Sequence, residues 1–163
     1  MRRRTLSAIL ALALSAVLVF AAVAVAKTIR GTQGDDTING TEGADKIVAK
    51  KGNDTVNAAG GNDKVNAGRG DDVANGDAGD DVVRGKAGSD QVNGGDGNDR
   101  VNGGRGADTI DGGAGDDSVG SRDNQKDEIS CGEGADTASV DAKDTVAADC
   151  ETVTVAGGNG KNS

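Results

Sequence analysis

The sequence predicts an all-β solenoid of stacked nine-residue units, and three observations carry that prediction. A Gly-x-Asp-x-aliphatic pattern recurs every nine residues from Gly34 to Val119 without a slip. Self-similarity at a short fixed period marks an architecture whose units bury a shared core only by stacking on one another. The chain also carries 28 glycines, a density that would melt a helix at about 1 kcal/mol per Gly relative to Ala. Finally, it has no Trp, Tyr, His or Pro and a single Phe, which leaves too little large apolar surface for an ordinary globular core.

Residues 1–26 come first. Arg2, Arg3 and Arg4 precede a long apolar run that closes on Ala24-Val25-Ala26. This is the layout of a secretory signal peptide with a small-residue cleavage site, so cleavage after Ala26 and a secreted, extracellular protein are expected. The run is nearly long enough to span a bilayer, and a retained anchor is the alternative. Removing the segment takes away the only Met and the only Phe. It leaves 15 basic residues against 27 acidic, a net charge of −12. Low hydrophobicity with such a charge predicts disorder. One buried Val or Ile per unit falls far short of the entropy lost in ordering nine residues, so something outside the chain must stabilise it.

Residues 27–120 are the repeats. β-branched residues favour short strands, and glycines allow the positive φ of tight turns. Each unit therefore reads as a six-residue turn followed by a three-residue strand with its aliphatic pointing inward. The aliphatics are Ile38, Ile47, Val56, Val65, Ala74, Val83, Val92, Val101, Ile110 and Val119. Two residues before each stands an aspartate: Asp36, Asp45, Asp54, Asp63, Asp72, Asp81, Asp90, Asp99, Asp108 and Asp117.

Units such as GGDGNDRVN (94–102), GGRGADTID (103–111) and GGAGDDSVG (112–120) resemble the RTX, or haemolysin-type, calcium-binding nonapeptide G-G-x-G-x-D-x-U-x. The resemblance covers 31–120 strictly and 121–155 loosely. It implies a right-handed parallel β-roll with two nonapeptides per coil and several Ca2+ ions held between turns of successive coils. Asp36, Asp54, Asp72, Asp90 and Asp108 would then stack along one edge, and Asp45, Asp63, Asp81, Asp99 and Asp117 along the other. Like charges about 4.8 Å apart repel by about 1 kcal/mol in water and about 3–4 kcal/mol at an effective dielectric near 20. A divalent cation reverses the sign. Calcium takes six to eight oxygens from carboxylates and backbone carbonyls, whereas magnesium demands stricter geometry and zinc prefers Cys and His. The plainer alternative is that these aspartates only form turns.

Departures from the pattern weaken individual sites. Ala49, Ala58 and Ala67 replace the first glycine of three consecutive units, and Thr32, Thr41, Lys50, Ala59, Asp77 and Lys86 the second. The units over 94–120 are cleanest, so the tightest sites are expected there. Ala74 thins the core beneath Asp72.

Beyond Val119 the phase slips by one residue, then resumes at Asp127 and Asp136, which are also candidate metal ligands. Terminal repeats of solenoids are usually atypical, so 121–156 reads as a degenerate cap and 157–163 as a disordered tail. Cys131 and Cys150 stand nineteen residues apart, close to one coil. In an exported chain this favours a disulfide, with two free thiols as the alternative.

Catalysis has little to stand on. The usual general bases and nucleophile pairs are missing, and no enzyme activity is expected. A strongly acidic chain without aromatics lacks both the basic footprint and the stacking platforms of a nucleic-acid binder, and no membrane partner is expected once the signal is removed. Two function classes remain. One is an extracellular calcium binder or matrix and surface component that folds on meeting Ca2+. The other is an adhesin-like, surface-binding solenoid in which calcium is only structural and a side face meets an extracellular polymer or cell surface. A uniform outward row would favour the second. The outward pairs Thr37/Asn39, Lys46/Val48, Arg100/Asn102 and Thr109/Asp111 are mixed along the chain, which favours the first.

Overall fold

The computed structural model describes residues 25–156. The expected signal peptide lies almost wholly outside the described residues, and the tail 157–163 lies wholly outside them. Among the described residues no helix is long and apolar enough to cross a membrane.

Fifteen parallel strands wind into two sheets. One sheet holds, in order, β1 (Thr28–Arg30), β3 (Lys46–Lys51), β5 (Lys64–Arg69), β7 (Val82–Ala87), β9 (Arg100–Arg105), β11 (Ser118–Ser121), β13 (Thr137–Val140) and β15 (Thr152–Val155). The other holds β2 (Thr37–Thr41), β4 (Thr55–Ala59), β6 (Val73–Ala78), β8 (Gln91–Asp96), β10 (Thr109–Ala114), β12 (Glu128–Glu133) and β14 (Thr145–Val146). Consecutive strands thus alternate between sheets, and each pairs with the strand two along the chain. Two nonapeptides make one coil, and about seven coils make an all-β parallel solenoid.

The register follows from the period. Ile47, Val65, Val83 and Val101 stack in one column, and Ile38, Val56, Ala74, Val92 and Ile110 in the other. These columns form the core, with Ile47, Val56 and Val83 at 0 % exposure. Beside them lies a second inward row of very small residues, among them Ala49, Ala58, Ala67 and Gly94. A Cβ added at Gly94 would come within 2.3 Å of the Gly112 carbonyl oxygen. Coil-to-coil distance is therefore set by backbone, and the roll has room for only one aliphatic layer.

Strands are longer than the three residues expected. Most run for six, as in β8, because the ladder continues through both glycines of the next unit: Gly113 pairs with Gly95 and Ala114 with Asp96. The turn shrinks accordingly to the segment around each Gly-x-Asp.

The phase slip is absorbed between β11 and β12, where the register step becomes nineteen residues and Ile129 takes its place beneath Ile110. Asn124 there adopts φ 66°, a left-handed conformation that Asn tolerates better than most residues. Cys131 and Cys150 form a disulfide across a Cα separation of 5.1 Å. In the chain-entropy account, closing such a loop adds about 3 kcal/mol. That tie holds the last coils, where β14 is only two residues long and β15 leaves Val153 and Val155 exposed.

Candidate metal lattice

Every turn brings its aspartate to the same place. The backbone N–H of each donates to Oδ1 of the aspartate one coil later. Asp54 reaches Asp72 at 2.8 Å, Asp72 reaches Asp90 at 2.9 Å and Asp90 reaches Asp108 at 2.9 Å. On the other edge Asp63 reaches Asp81 at 2.7 Å, Asp81 reaches Asp99 at 2.7 Å and Asp99 reaches Asp117 at 2.8 Å. Asp36 and Asp45 donate in the same way to Asp54 and Asp63, and the columns run on through Asp127 and Asp136, whose own N–H groups donate to Asp144 Oδ1 at 3.2 Å and Glu151 Oε2 at 2.8 Å. The stacking that the resemblance implied holds for all twelve candidate aspartates, and eleven of them are buried.

The second oxygen divides them. Oδ2 of Asp54, Asp63, Asp72, Asp81, Asp90, Asp99, Asp108, Asp117 and Asp136 is buried with no hydrogen-bond partner. In the remaining three a hydroxyl residue serves it. Thr32 donates its N–H to Asp36 Oδ2 at 2.6 Å, Thr41 does the same for Asp45 at 2.7 Å, and the Ser121 hydroxyl donates to Asp127 Oδ2. Buried polar atoms are almost always satisfied in native proteins, so nine orphans in phase point to a missing partner.

Where a carboxyl shifts in these columns, burial and donors set the direction. Burial away from water pushes the Asp81 and Asp90 carboxyls up to about 7. Asp63, Asp99, Asp108 and Asp117 rise to about 6 for the same reason. Like-charged neighbours in the column add to the rise, and the N–H donated to Oδ1 offsets only part of it. At Asp45 burial also pushes upward, yet the N–H groups of Lys27 and Thr41 and the Thr41 hydroxyl outweigh it, and its carboxyl lies below the ordinary range. Donors make the difference.

A cradle exists for a cation at these orphaned oxygens. A Cβ built on Gly76, Gly85, Gly94, Gly103 or Gly112 would fall 2.3–2.6 Å from Oδ2 of Asp81, Asp90, Asp99, Asp108 or Asp117 respectively. Those five turns keep the space open. Ala49, Ala58 and Ala67 fill the equivalent position before Asp54, Asp63 and Asp72, and Cys131 fills it before Asp136. Among the described residues no three acidic, Cys or His side chains converge on one point. A cation must therefore complete its shell with backbone carbonyls of the glycine turns. An all-oxygen donor set of this kind suits calcium and excludes a zinc preference.

A second ladder was not legible in the sequence. Where the residue just before a lattice aspartate is Asp or Asn, its side chain accepts the N–H of its counterpart one coil later, the opposite polarity to the aspartate column. Asp35 Oδ1 accepts from Asn53 at 2.7 Å, Asn53 from Asp71 at 3.0 Å and Asp71 from Ser89 at 2.8 Å. Asn62, Asp80 and Asn98 continue this on the other edge. The available signal was the prevalence of Asp and Asn at a position the nonapeptide leaves open.

A family profile for the RTX calcium-binding nonapeptide repeat (4 copies) matches residues 28–56, 57–92 and 84–119. The chain belongs to that family. No curated protein and no solved structure gives a significant match. The RTX repeats so matched contain the core columns and eight of the nine orphaned carboxylates, and only Asp136 lies beyond them.

Proposed function

We propose that the protein is an extracellular calcium-binding RTX roll whose folding depends on Ca2+ held between its stacked turns. The observation that carries this reading is the set of nine buried Oδ2 atoms without a donor, in a chain with too little apolar surface to order itself. Bound calcium supplies positive charge where the column stacks like charges, and binding free energy then becomes folding free energy. Asp81, Asp90, Asp99, Asp108 and Asp117 are the residues assigned to the main sites, because their first glycines keep the cradle open. Asp54, Asp63, Asp72 and Asp136 are weaker sites. Asp36, Asp45 and Asp127 are capping positions served by hydroxyl residues.

Asp90→Asn separates the metal role from the turn role. Asparagine keeps an Oδ1 to accept the Asp72 N–H but loses the charge. The expected result is a roll that still folds at saturating calcium, with a higher calcium midpoint and at least one fewer ion bound by equilibrium dialysis. An unchanged midpoint and ion count would reduce these residues to turn formers.

Export has support in the first coil. Lys27 N–H donates to Asp45 Oδ1 at 2.6 Å, the same bond that later aspartates make. Lys27 is thus the first residue of the lattice. Cleavage after Ala26 would leave an α-ammonium on that carboxylate. Mass spectrometry of protein recovered from the culture medium is expected to find Lys27 at the N terminus, and a chain that stays cell-bound with residues 1–26 attached would contradict export.

A further inference from the structure

The outward residues look mixed only when read along the chain. Consecutive units face opposite sheets, so every second unit must be compared. Sorted that way, strands β1, β3, β5, β7 and β9 carry ten Lys and Arg and no acid. The seven strands of the other sheet carry Asp77, Asp96, Asp111, Glu128 and Glu133 and no base. A chain with 27 acids and 18 bases has gathered most of its positive charge on one half of one face.

That arrangement has a cost. The register sets Lys46 directly beside Lys64 and Lys51 beside Arg69, and like charges in paired positions destabilise a sheet. Lys50 and Lys86 adopt φ 95° and 94°, while Gly68 and Gly104 share their column. Ala59 and Asp77 take the same conformation on the other sheet, so the repeat tolerates this strain. On the basic sheet, however, it places an ammonium at every second rung with glycine between. The result is a shallow groove of about 620 Å³ lined by Lys50, Lys51, Arg69, Lys86 and Arg105, with Asn66 and Asn102 among its walls. Among the described residues, the one hydrogen bond from a Lys or Arg side chain of this sheet runs from Lys50 Nζ to the Gly31 carbonyl. The band does not serve the chain's own orphaned carboxylates.

We propose that this face, from β1 to β9, binds an extended anionic polysaccharide of the polyuronate type, lying across the strands along the solenoid axis. Charge complementarity is the first argument. Spacing is the second: strands repeat about every 4.8 Å, near the distance between successive carboxylates of a 1,4-linked uronan. The Asn66 amide lies in the groove for sugar hydroxyls, and Asn102, whose Nδ2 donates to the Gly120 carbonyl at 2.9 Å, keeps its Oδ1 for the same use. The described residues contain no aromatic side chain, which removes the stacking that single-stranded nucleic acid binding uses and the apolar wedge that membrane insertion needs. The inference requires a folded roll and is independent of which ion folds it.

The test uses short fluorescent oligogalacturonates, below gelling length, with the protein in calcium at low salt. Binding that weakens as NaCl rises is expected. Lys51→Gln, Arg69→Gln and Arg105→Gln together are expected to weaken it by about tenfold or more. Arg122→Gln, Lys126→Gln and Lys143→Gln change the net charge equally from the cap and are expected to matter by less than about twofold. Circular dichroism in calcium checks that each variant is folded, and so separates loss of the face from failure of the calcium reading. Arg69→Lys with Arg105→Lys keeps the charge and is expected to bind nearly as the parent does. No binding of the uronate, equal losses in both triple variants, or tighter binding of single-stranded DNA or anionic phosphatidylglycerol vesicles would each overturn the proposal.

Discussion

Gly106→Ala is expected to break the roll near its middle, at a cost of about 4 kcal/mol or more. Two effects coincide there. Gly106 has φ 134°, which side-chain-bearing residues rarely adopt, and a Cβ would lie 1.8 Å from the Gly88 carbonyl oxygen of the preceding coil. The obstacle is the backbone of Gly88 and Ser89, so no rotamer change relieves it. Lys86→Gly makes the opposite change in β7, removing a left-handed lysine at φ 94°, and is expected to stabilise by about 1 kcal/mol. Denaturant unfolding in saturating calcium checks both. Comparable stabilities for Gly106→Ala and the parent would show that coils are not in backbone contact.

Acid is expected to replace calcium in part. Six lattice carboxyls, Asp63, Asp81, Asp90, Asp99, Asp108 and Asp117, stand at about 6 to 7 in the folded chain against an ordinary value of 3.8. The folded form therefore binds protons more tightly than the unfolded chain, and stability rises as pH falls. In the absence of metal the penalty is full above pH about 7. It is relieved progressively through that window and is gone below the unfolded value. Calcium competes with protons for the same oxygens, so calcium-driven folding weakens over the same range. The measurement is far-ultraviolet circular dichroism in EGTA from pH 8 down to 4.5. Gain of β signal on acidification is expected, and a coil spectrum throughout would contradict the burial of these groups.

Much of this was legible because the lattice is written in phase. Ile47 lies over Val65, and Asp81 N–H meets Asp99, because each is one coil from its partner. What escaped notice depends on which residues become neighbours only after winding. Thr32 and Thr41 read as departures from the second glycine, yet each supplies the donor that its aspartate lacks elsewhere, and Ser121 does the same for Asp127. The Asn and Asp ladder preceding the aspartates is a variable position along the chain and a continuous row across it. Segregation of Lys and Arg was hidden for the same reason, since adjacent units belong to opposite sheets. Strand length was misjudged because glycine reads as turn, whereas here Gly95 and Gly113 pair within a ladder, in the same column as Asp77.

The most direct measurement is a calcium titration followed at once by circular dichroism and hydrodynamic radius, with magnesium as control. An expanded coil in EGTA is expected, with cooperative compaction and gain of β signal as calcium rises and little response to magnesium. A compact β form that persists unchanged in EGTA at neutral pH would contradict it. The nine buried carboxylate oxygens would then have to be stable without a cation.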